Sequence, residues 1–180
     1  MTDAARPAVF LDRDGTLVRD ADYLTEADQL EILPGVPEAL RMLRRAGFLL
    51  IVVTNQSAIA RGWLTEEALR TIHAELNALL GAEGAPIDAF YYCPHLPNGT
   101  VPAYARACRC RKPEPGLIRQ AAEEWHVDPA RSYVVGDSER DAEAGRRAGC
   151  RAFQIGNGPA MVDDLLEAAR RIVAETGLDR

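Results

Sequence analysis

The residues best suited to chemistry are two aspartates, Asp12 and Asp14, which follow a short apolar run at residues 8–11. Side chains two residues apart on an extended segment point to the same side. Two carboxylates placed in this way can share a cation or divide the roles of nucleophile and general acid. Gly15 then allows the chain to turn sharply. Taken alone, the segment is equally consistent with a polar turn that ends a strand.

A second polar segment, Thr54-Asn55-Gln56-Ser57, follows the most hydrophobic run of the chain. Its hydroxyl and amide side chains, together with the backbone N–H groups of a turn, can hold phosphate oxygens. By itself such a segment is more typical of a capped turn. Its place at the end of a predicted strand, like that of Asp12, favours a phosphate site at a common edge of the sheet.

The most specific pattern is Cys93-Pro94-His95, then twelve residues, then Cys108-Arg109-Cys110. Three thiolates and one imidazole match a closed tetrahedral Zn²⁺ site, which stabilises structure and does not activate water. A disulfide between Cys108 and Cys110 would be sterically strained. We therefore expect Cys93, His95, Cys108 and Cys110 to bind Zn²⁺ and to tether the loop between them. Cys150 lies outside the pattern and is expected to be a buried thiol.

Two cations, Arg111 and Lys112, come directly after the last of these cysteines. A charged pair is usually a solvated face. Here the adjoining metal loop and the prolines at 113 and 115 favour fixed positions for both side chains. The planar guanidinium of Arg111 suits phosphate oxygens, so we expect it to contact the substrate.

Asp137 again follows an apolar run, at residues 133–135. With the Asp12 carboxylate and the Asp14 backbone carbonyl, it could complete an oxygen site for Mg²⁺. Asp141 lies one helical turn later. We expect it to support the site or the start of a helix and not to bind the ion directly.

The elements that must position these residues alternate between strands and helices. Apolar runs typical of buried parallel strands lie at residues 8–11, 48–53, 89–92, 133–135 and 152–155. Helical patterns lie at residues 36–46, 65–80 and about 116–125, 139–148 and 160–175. The alternation predicts right-handed crossovers and a three-layer, Rossmann-like α/β sheet, in one domain over residues 1–180. The chain has no Gly-x-Gly-x-x-Gly or Walker loop, which disfavours dinucleotide and nucleotide-loop functions.

Four of these segments, in order, resemble the motifs of the haloacid dehalogenase superfamily of phosphohydrolases. They are Asp12-Arg13-Asp14-Gly15-Thr16, Thr54-Asn55, Lys112 and Asp137, and the resemblance spans about residues 8–155. It implies a haloacid dehalogenase-like fold and hydrolysis of a phosphate ester through an aspartyl-phosphate. It assigns the nucleophile to Asp12 and the general acid and base to Asp14. It also assigns phosphoryl stabilisation to Thr54 and Lys112.

The resemblance also implies a catalytic Mg²⁺ held by Asp12, Asp14 and Asp137. No insertion the size of a cap domain interrupts the motifs, so an open site that suits small substrates with a terminal phosphate is expected. Residues 54–62, Cys93-Pro94-His95 and residues 108–113 resemble sugar-phosphate phosphatases of the superfamily, which implies a small phosphorylated sugar as substrate. Substrate contacts are expected from Asp20, Asp22, Tyr23, Asn55, Gln56, Ser57, Arg111 and Ser138. Ser138 departs from the pattern, because related enzymes often have a lysine there.

Composition narrows the classes of function. The chain has 180 residues, 47% of them hydrophobic, and a formal net charge of −6, which indicates one sizeable core. The negative charge argues against nucleic acid or an anionic membrane as partner. The N-terminus has no apolar signal segment and no run approaches ~20 apolar residues, so we expect a cytoplasmic protein. We also expect a monomer.

Three alternatives to a sugar phosphatase differ in class. The first is a histidinol-phosphate phosphatase or another small-molecule phosphatase of the same superfamily. Histidinol-phosphate phosphatases share the cysteine and histidine pattern, but their second motif continues differently after Thr-Asn-Gln than residues 57–62 do here. The second is a DNA-end phosphatase, which should show a basic groove that the net charge of −6 does not suggest. The third is a sugar-phosphate-binding protein without activity. Such a protein should tolerate loss of an acid, whereas Asp12, Asp14, Lys112 and Asp137 are all present.

Overall fold

The computed structural model describes residues 5–177. Its centre is a five-stranded parallel sheet with the strand order β3-β2-β1-β4-β5. The strands are β1 (Ala8–Leu11), β2 (Leu49–Asn55), β3 (Ala89–Cys93), β4 (Tyr133–Gly136) and β5 (Arg151–Gln154). The helices are α1 (Val36–Arg45), α2 (Glu66–Ala82), α3 (Gly116–Glu124), α4 (Glu139–Ala148) and α5 (Leu165–Thr176). The predicted α/β class is confirmed.

Helices cover both faces of the sheet, and β1 shows how they divide. Val9 and Leu11 pack in one core with residues of α1, α2 and α5. Ala8 and Phe10 pack in a second core with residues of α3 and α4. All four side chains are fully buried. A parallel strand that is covered on both faces must be apolar at every position, which is why an unbroken apolar run predicts it.

The register of the sheet brings the three motif-bearing strands to one edge. Leu11, the last residue of β1, lies opposite Val52 of β2 and Val135 of β4. The chain fills the sheet outward from β1 through β2 to β3 and then crosses back to place β4 on the other side of β1. Such a reversal of strand order leaves a crevice at the carboxyl ends of the strands, where ligands bind in open α/β sheets.

Some predicted boundaries are wrong, and the reason is local. The last helix begins at Leu165 and not near residue 160, because the Asp164 side chain accepts the Glu167 backbone N–H (2.8 Å) and caps it there. Upstream, Val162 instead forms a bridge with Ile155 beside β5. Strand β2 continues beyond the expected residue 53 through Asn55.

No cap domain covers the carboxyl edge within the part of the chain that the structure describes. The long connection from β3 to α3, residues 94–115, contains turns and bends with neither a helix nor a strand. None of the helices within residues 5–177 is long and apolar enough to cross a membrane.

Candidate active site

A cavity of about 280 Å³ opens at the carboxyl edge of the sheet, where β1, β2 and β4 end. It brings together the predicted catalytic and Mg²⁺-binding residues and all but one of the predicted substrate contacts. Those in its wall are Asp12, Asp14, Asp20, Asp22, Tyr23, Thr54, Asn55, Gln56, Ser57, Arg111, Lys112 and Asp137. Ser138, predicted to contact the substrate, is not among the lining residues.

Lys112, the only lysine in the chain, lies at the base of the cavity with 3% of its surface exposed. Its Nζ donates to Asp12 Oδ1 (2.8 Å) and to the Val53 carbonyl (2.7 Å). It also forms an ion pair with Asp141 Oδ1 at 2.6 Å. Three oxygens thus surround an ammonium group that carries three N–H donors. Lys112 is therefore held in a fixed position beside the predicted nucleophile.

Neighbouring charges and burial determine the protonation states of Lys112 and Asp12. Burial alone would lower the pKa of Lys112, but the carboxylates of Asp12 and Asp141 outweigh it and raise that pKa. Lys112 is thus a fixed positive charge. Burial raises the pKa of Asp12 to about 6, although Lys112 opposes the rise. A cation bound against Asp12 would favour its ionised, nucleophilic form.

The Asp137 side chain lies close to Gly15, in the motif that follows β1. The backbone of Gly15 has a φ of +76°, and a Cβ at this residue would lie 2.1 Å from Asp137 Oδ2. Only glycine leaves room for this carboxylate. Carboxylate oxygens of Asp12, Asp137 and Asp141 lie within 4.8 Å of one another, and oxygen donors in such a group suit Mg²⁺.

Asp141 is occupied by protein contacts on both oxygens. Its Oδ2 accepts from the Ser138 backbone N–H (3.0 Å) and hydroxyl (2.9 Å), which closes a capping box at the start of α4. Its Oδ1 pairs with Lys112. Gly136 permits this arrangement, because a Cβ there would lie 2.5 Å from Asp141 Oδ2. The geometry leaves Asp12 and Asp137 as the freer carboxylates for a cation.

The segment at the end of β2 is engaged mainly by protein groups. The Asn55 amide donates to the Lys112 carbonyl (3.1 Å) and accepts from the Lys112 N–H (3.0 Å), so it fastens the lysine's backbone to β2. Gln56 Nε2 donates to Thr54 Oγ1 (2.9 Å) and to Asp14 Oδ2 (3.0 Å). Thr54 lies 1% exposed within this network. Binding of phosphate by these residues stays a prediction.

An aromatic cluster forms one rim of the cavity. The rings of Tyr23 and Trp63 meet edge to face, with centroids 4.8 Å apart. The Arg61 guanidinium lies 5.5 Å from the first ring centroid and 5.2 Å from the second. Asp22 and Tyr23 both have positive φ values, 47° and 83°, which are uncommon for residues other than glycine. The backbone turn at these residues delivers Tyr23 to the rim.

Two further arginines border the cavity. Arg111 Nη1 donates to the His95 carbonyl (3.2 Å), which links this guanidinium to the cysteine-rich loop. Arg140 Nε donates to Ser138 Oγ (3.0 Å) and lines the cavity itself. Ser138 thus contacts an arginine that lines the cavity, and its own contact with substrate stays a prediction. Its hydroxyl faces the capping box because Asp141 lies three residues later.

The cysteine cluster assembles as the spacing predicts. The sulfur atoms of Cys93, Cys108 and Cys110 lie 3.2–3.5 Å apart, and His95 Nδ1 lies 3.7 Å from the first and 3.4 Å from the last. A tetrahedral Zn²⁺ with Zn–S bonds of ~2.3 Å separates its sulfurs by about 3.8 Å. These S–S distances far exceed a disulfide bond, and the cysteines are free. The donor set fits a closed zinc centre.

Sequence reasoning missed several residues of the cavity wall. Arg13, Arg61 and Arg140 all line it, and His73 lies behind Arg13. The position of Arg13 between the two motif aspartates was a usable signal, since a charged residue inside a buried segment needs a partner. No local pattern marks Arg61 or Arg140, which reach the cavity only through the folding of their segments.

Comparison with known proteins is consistent with this geometry. Residues 109–176 match the family model described as HAD-hydrolase-like. The D-glycero-beta-D-manno-heptose-1,7-bisphosphate 7-phosphatase of Rhodopseudomonas palustris is 43% identical over 150 residues, which cover 83% of each protein. The Escherichia coli protein of the same name is 46% identical over 138 residues, covering 77% of this chain and 72% of that protein.

A solved structure shares the whole architecture. It is that of D,D-heptose 1,7-bisphosphate phosphatase from B. bronchiseptica, complexed with magnesium and phosphate. The two folds agree with a TM-score of 0.81 at 32% identity, over 94% of this chain and 99% of that one. Relatives that match most of the chain are thus phosphatases, and this protein is a phosphomonoester hydrolase. The chain belongs to the D-glycero-beta-D-manno-heptose-1,7-bisphosphate 7-phosphatase family of HAD-like hydrolases.

Proposed function

We propose that this protein removes the C7 phosphate from D-glycero-D-manno-heptose 1,7-bisphosphate. The observation that carries the proposal is the relationship to phosphatases named for this substrate, at 43–46% identity over most of the chain. The cavity supports it, since the only lysine of the chain contacts the candidate nucleophile there. No feature of the cavity favours histidinol phosphate or a DNA end over the heptose bisphosphate.

In the first step, an Asp12 carboxylate oxygen attacks phosphorus as the bond from phosphorus to the sugar oxygen breaks. The leaving oxygen takes a proton from Asp14, which gives the free alcohol and a phosphorylated Asp12. Lys112 faces Asp12 directly and offsets the negative charge that gathers between nucleophile and phosphoryl group. Thr54 is proposed to donate to the phosphoryl oxygens.

In the second step, the Asp14 carboxylate takes a proton from water, and the water oxygen attacks phosphorus. The bond to Asp12 breaks, which frees inorganic phosphate and restores the nucleophile. Mg²⁺, held by the carboxylates of Asp12 and Asp137 and the Asp14 carbonyl, would neutralise charge on the phosphoryl oxygens. Catalysis of phosphoryl transfer depends mainly on positioning of the reacting groups and on stabilisation of their charge, and the residues of this cavity would provide both.

The outer part of the cavity suits the rest of a sugar bisphosphate. Asp20, Asp22 and Tyr23 offer carboxylate and hydroxyl partners for sugar hydroxyls. Arg111 and Arg140 offer guanidinium groups for the second phosphate, since their planar fork matches phosphate oxygens. Arg140 would supply the cation that related enzymes place at position 138. Ser138, Asn55, Gln56 and Ser57 would act through these neighbours or through backbone groups.

We further propose that Cys93, His95, Cys108 and Cys110 bind one structural Zn²⁺. The donor set is closed, so the metal would leave no coordination position for water. The loop that it fastens ends at Arg111 and Lys112, and Arg111 is also bonded to the loop through the His95 carbonyl. Zinc would therefore contribute to catalysis by fixing the positions of these two cations.

The test is phosphate release by the purified protein with Mg²⁺. The substrates are heptose 1,7-bisphosphate, histidinol phosphate and a 3′-phosphorylated DNA, and ³¹P NMR identifies the bond that breaks. We expect the highest kcat/KM for the bisphosphate, with loss of the C7 signal and retention of the anomeric phosphate. Asp12→Asn is the control and should show no turnover. A higher kcat/KM for either other substrate, or loss of the anomeric phosphate first, would overturn the assignment.

A further inference from the structure

Arg13 lies between the two motif aspartates and is almost completely buried, with 1% of its surface exposed. A buried guanidinium is costly unless every donor finds a partner. Its Nε donates to Asp14 Oδ1 (3.0 Å), and its Nη2 donates to Asp14 Oδ2 (2.9 Å). The planar fork of an arginine thus holds both oxygens of the carboxylate, which fixes the orientation of Asp14 as well as its distance.

Gln56 closes this arrangement on one side. Its Oε1 accepts from Arg13 Nη2 (3.1 Å), while its Nε2 donates to Asp14 Oδ2 (3.0 Å). The guanidinium, the carboxylate and the amide therefore form a closed triangle. The two side chains that donate to Asp14, those of Arg13 and Gln56, are therefore also hydrogen-bonded to each other. The Asp14 side chain is one-quarter exposed and forms part of the cavity wall. It is therefore fixed and still accessible to a substrate.

His73 of α2 completes the support from behind. Its Nε2 lies 3.3 Å from Arg13 Nη1, and its ring stacks on Phe90 with centroids 4.7 Å apart. Burial, together with the charge of Arg13, lowers the pKa of His73 to about 3, so the ring is neutral near pH 7. A neutral ring nitrogen can accept from the guanidinium. Among the described residues, Asp14 is the only carboxylate that pairs with Arg13.

We propose that Arg13, supported by Gln56 and His73, is the positioning residue that aims the Asp14 carboxyl group at the leaving oxygen. The inference rests on the proposed function in one respect, the role of Asp14 as general acid. Arg13 does not touch the reacting atoms in this proposal. Its effect comes through the geometry of Asp14, because a group that transfers a proton must lie within hydrogen-bond reach of the leaving oxygen.

A specific kinetic consequence separates positioning from simple structural support. The alkoxide released from a sugar phosphate is strongly basic and needs a proton as it leaves. The p-nitrophenolate released from p-nitrophenyl phosphate is weakly basic and can leave without one. Loss of Asp14 positioning should therefore lower kcat/KM for a sugar phosphate much more than for the aryl phosphate. Damage to the fold or to the Mg²⁺ site would lower both alike.

The experiment measures kcat/KM of wild type, Arg13→Lys, Arg13→Met and Asp14→Asn on both kinds of substrate. The alkyl substrate is the phosphorylated alcohol that the wild type hydrolyses fastest, so failure of the heptose assignment leaves this test intact. General acid catalysis contributes about 10²–10⁴-fold. We expect both Arg13 variants to lose about 10²-fold on the alkyl phosphate and less than about 5-fold on the aryl phosphate, as Asp14→Asn should. Arg19→Met, which removes an exposed arginine paired with Glu31, should match wild type on both.

A double-variant comparison makes the outcome decisive. If Arg13 acts through Asp14, adding Arg13→Lys to Asp14→Asn should change the alkyl kcat/KM little further. Arg13→Lys keeps the charge and protects the test should Arg13→Met not fold. His73→Gln keeps an acceptor and should retain most of the substrate selectivity. Equal losses on the two substrates in the folded Arg13→Lys variant, or full additivity with Asp14→Asn, would overturn the proposal.

Discussion

Replacement of Lys112 by methionine tests how charge is balanced at the base of the cavity. The change keeps an unbranched side chain and removes the positive charge. Two acids, the partly buried Asp12 and the buried Asp141, then lose their common partner, and so does the Val53 carbonyl. Removing one partner of a buried ion pair typically costs about 3–5 kcal/mol, because a charge is left uncompensated. We expect a loss of that size in the free energy of unfolding at pH 7.5.

The loss should depend on pH in a defined direction. The pKa of Asp12 is already raised in the folded protein, to about 6, by burial. Without Lys112 it should rise further. Between the pKa of the unfolded chain and that of the folded protein, the folded state binds more protons, so stability increases as pH falls. The deficit of Lys112→Met relative to wild type should therefore shrink from pH 7.5 to pH 5.5.

Urea unfolding followed by circular dichroism, in Mg²⁺-free buffer without chelator, measures both effects. Arg19→Met is the matched control, since it removes a positive charge from an exposed ion pair and should leave stability nearly unchanged. A second variant, Lys112→Arg, keeps the positive charge. Its phosphatase activity should still fall by about 10²-fold or more, because a planar guanidinium cannot reproduce three converging ammonium donors. A Lys112→Met protein as stable as wild type at pH 7.5 would refute the reasoning.

Three further changes test other parts of the site. Gly15→Ala should weaken Mg²⁺ binding, measured by calorimetry, since its Cβ would displace Asp137; unchanged affinity would contradict the close approach. Cys108→Ser should lower the metal content, found by elemental analysis, from about one Zn²⁺ per chain, and should reduce activity while the sheet's circular dichroism persists. His73 is neutral in the folded protein and becomes protonated on unfolding near pH 5, so acid favours the unfolded state of the wild type. Between pH 7 and pH 5, the free energy of unfolding should fall by about 2 kcal/mol more for wild type than for His73→Gln. Equal decreases in urea titrations would contradict a neutral His73.

The class of fold and much of the site follow from local features of the chain. An unbroken apolar run such as Ala8–Leu11 predicts a strand covered on both faces, because each position must face a hydrophobic core. Parallel strands end at one edge, so the polar residues after β1, β2 and β4 are predicted to meet. The spacing of Cys93, His95, Cys108 and Cys110 likewise predicts their assembly, and the structure brings those side chains together.

Tertiary structure alone decided which partner each of these groups receives. Nothing near Lys112 in the chain indicates that its ammonium group would meet Asp12 and Asp141, which lie 100 residues before and 29 residues after it. The burial of Arg13 against Asp14 and His73 depends on α2 contacting the segment that follows β1. Local sequence determines which side chains reach an edge or a face, because that follows from backbone periodicity. Long-range packing determines which charges lie together there, since buried charges and hydrogen bonds are satisfied only in the complete fold.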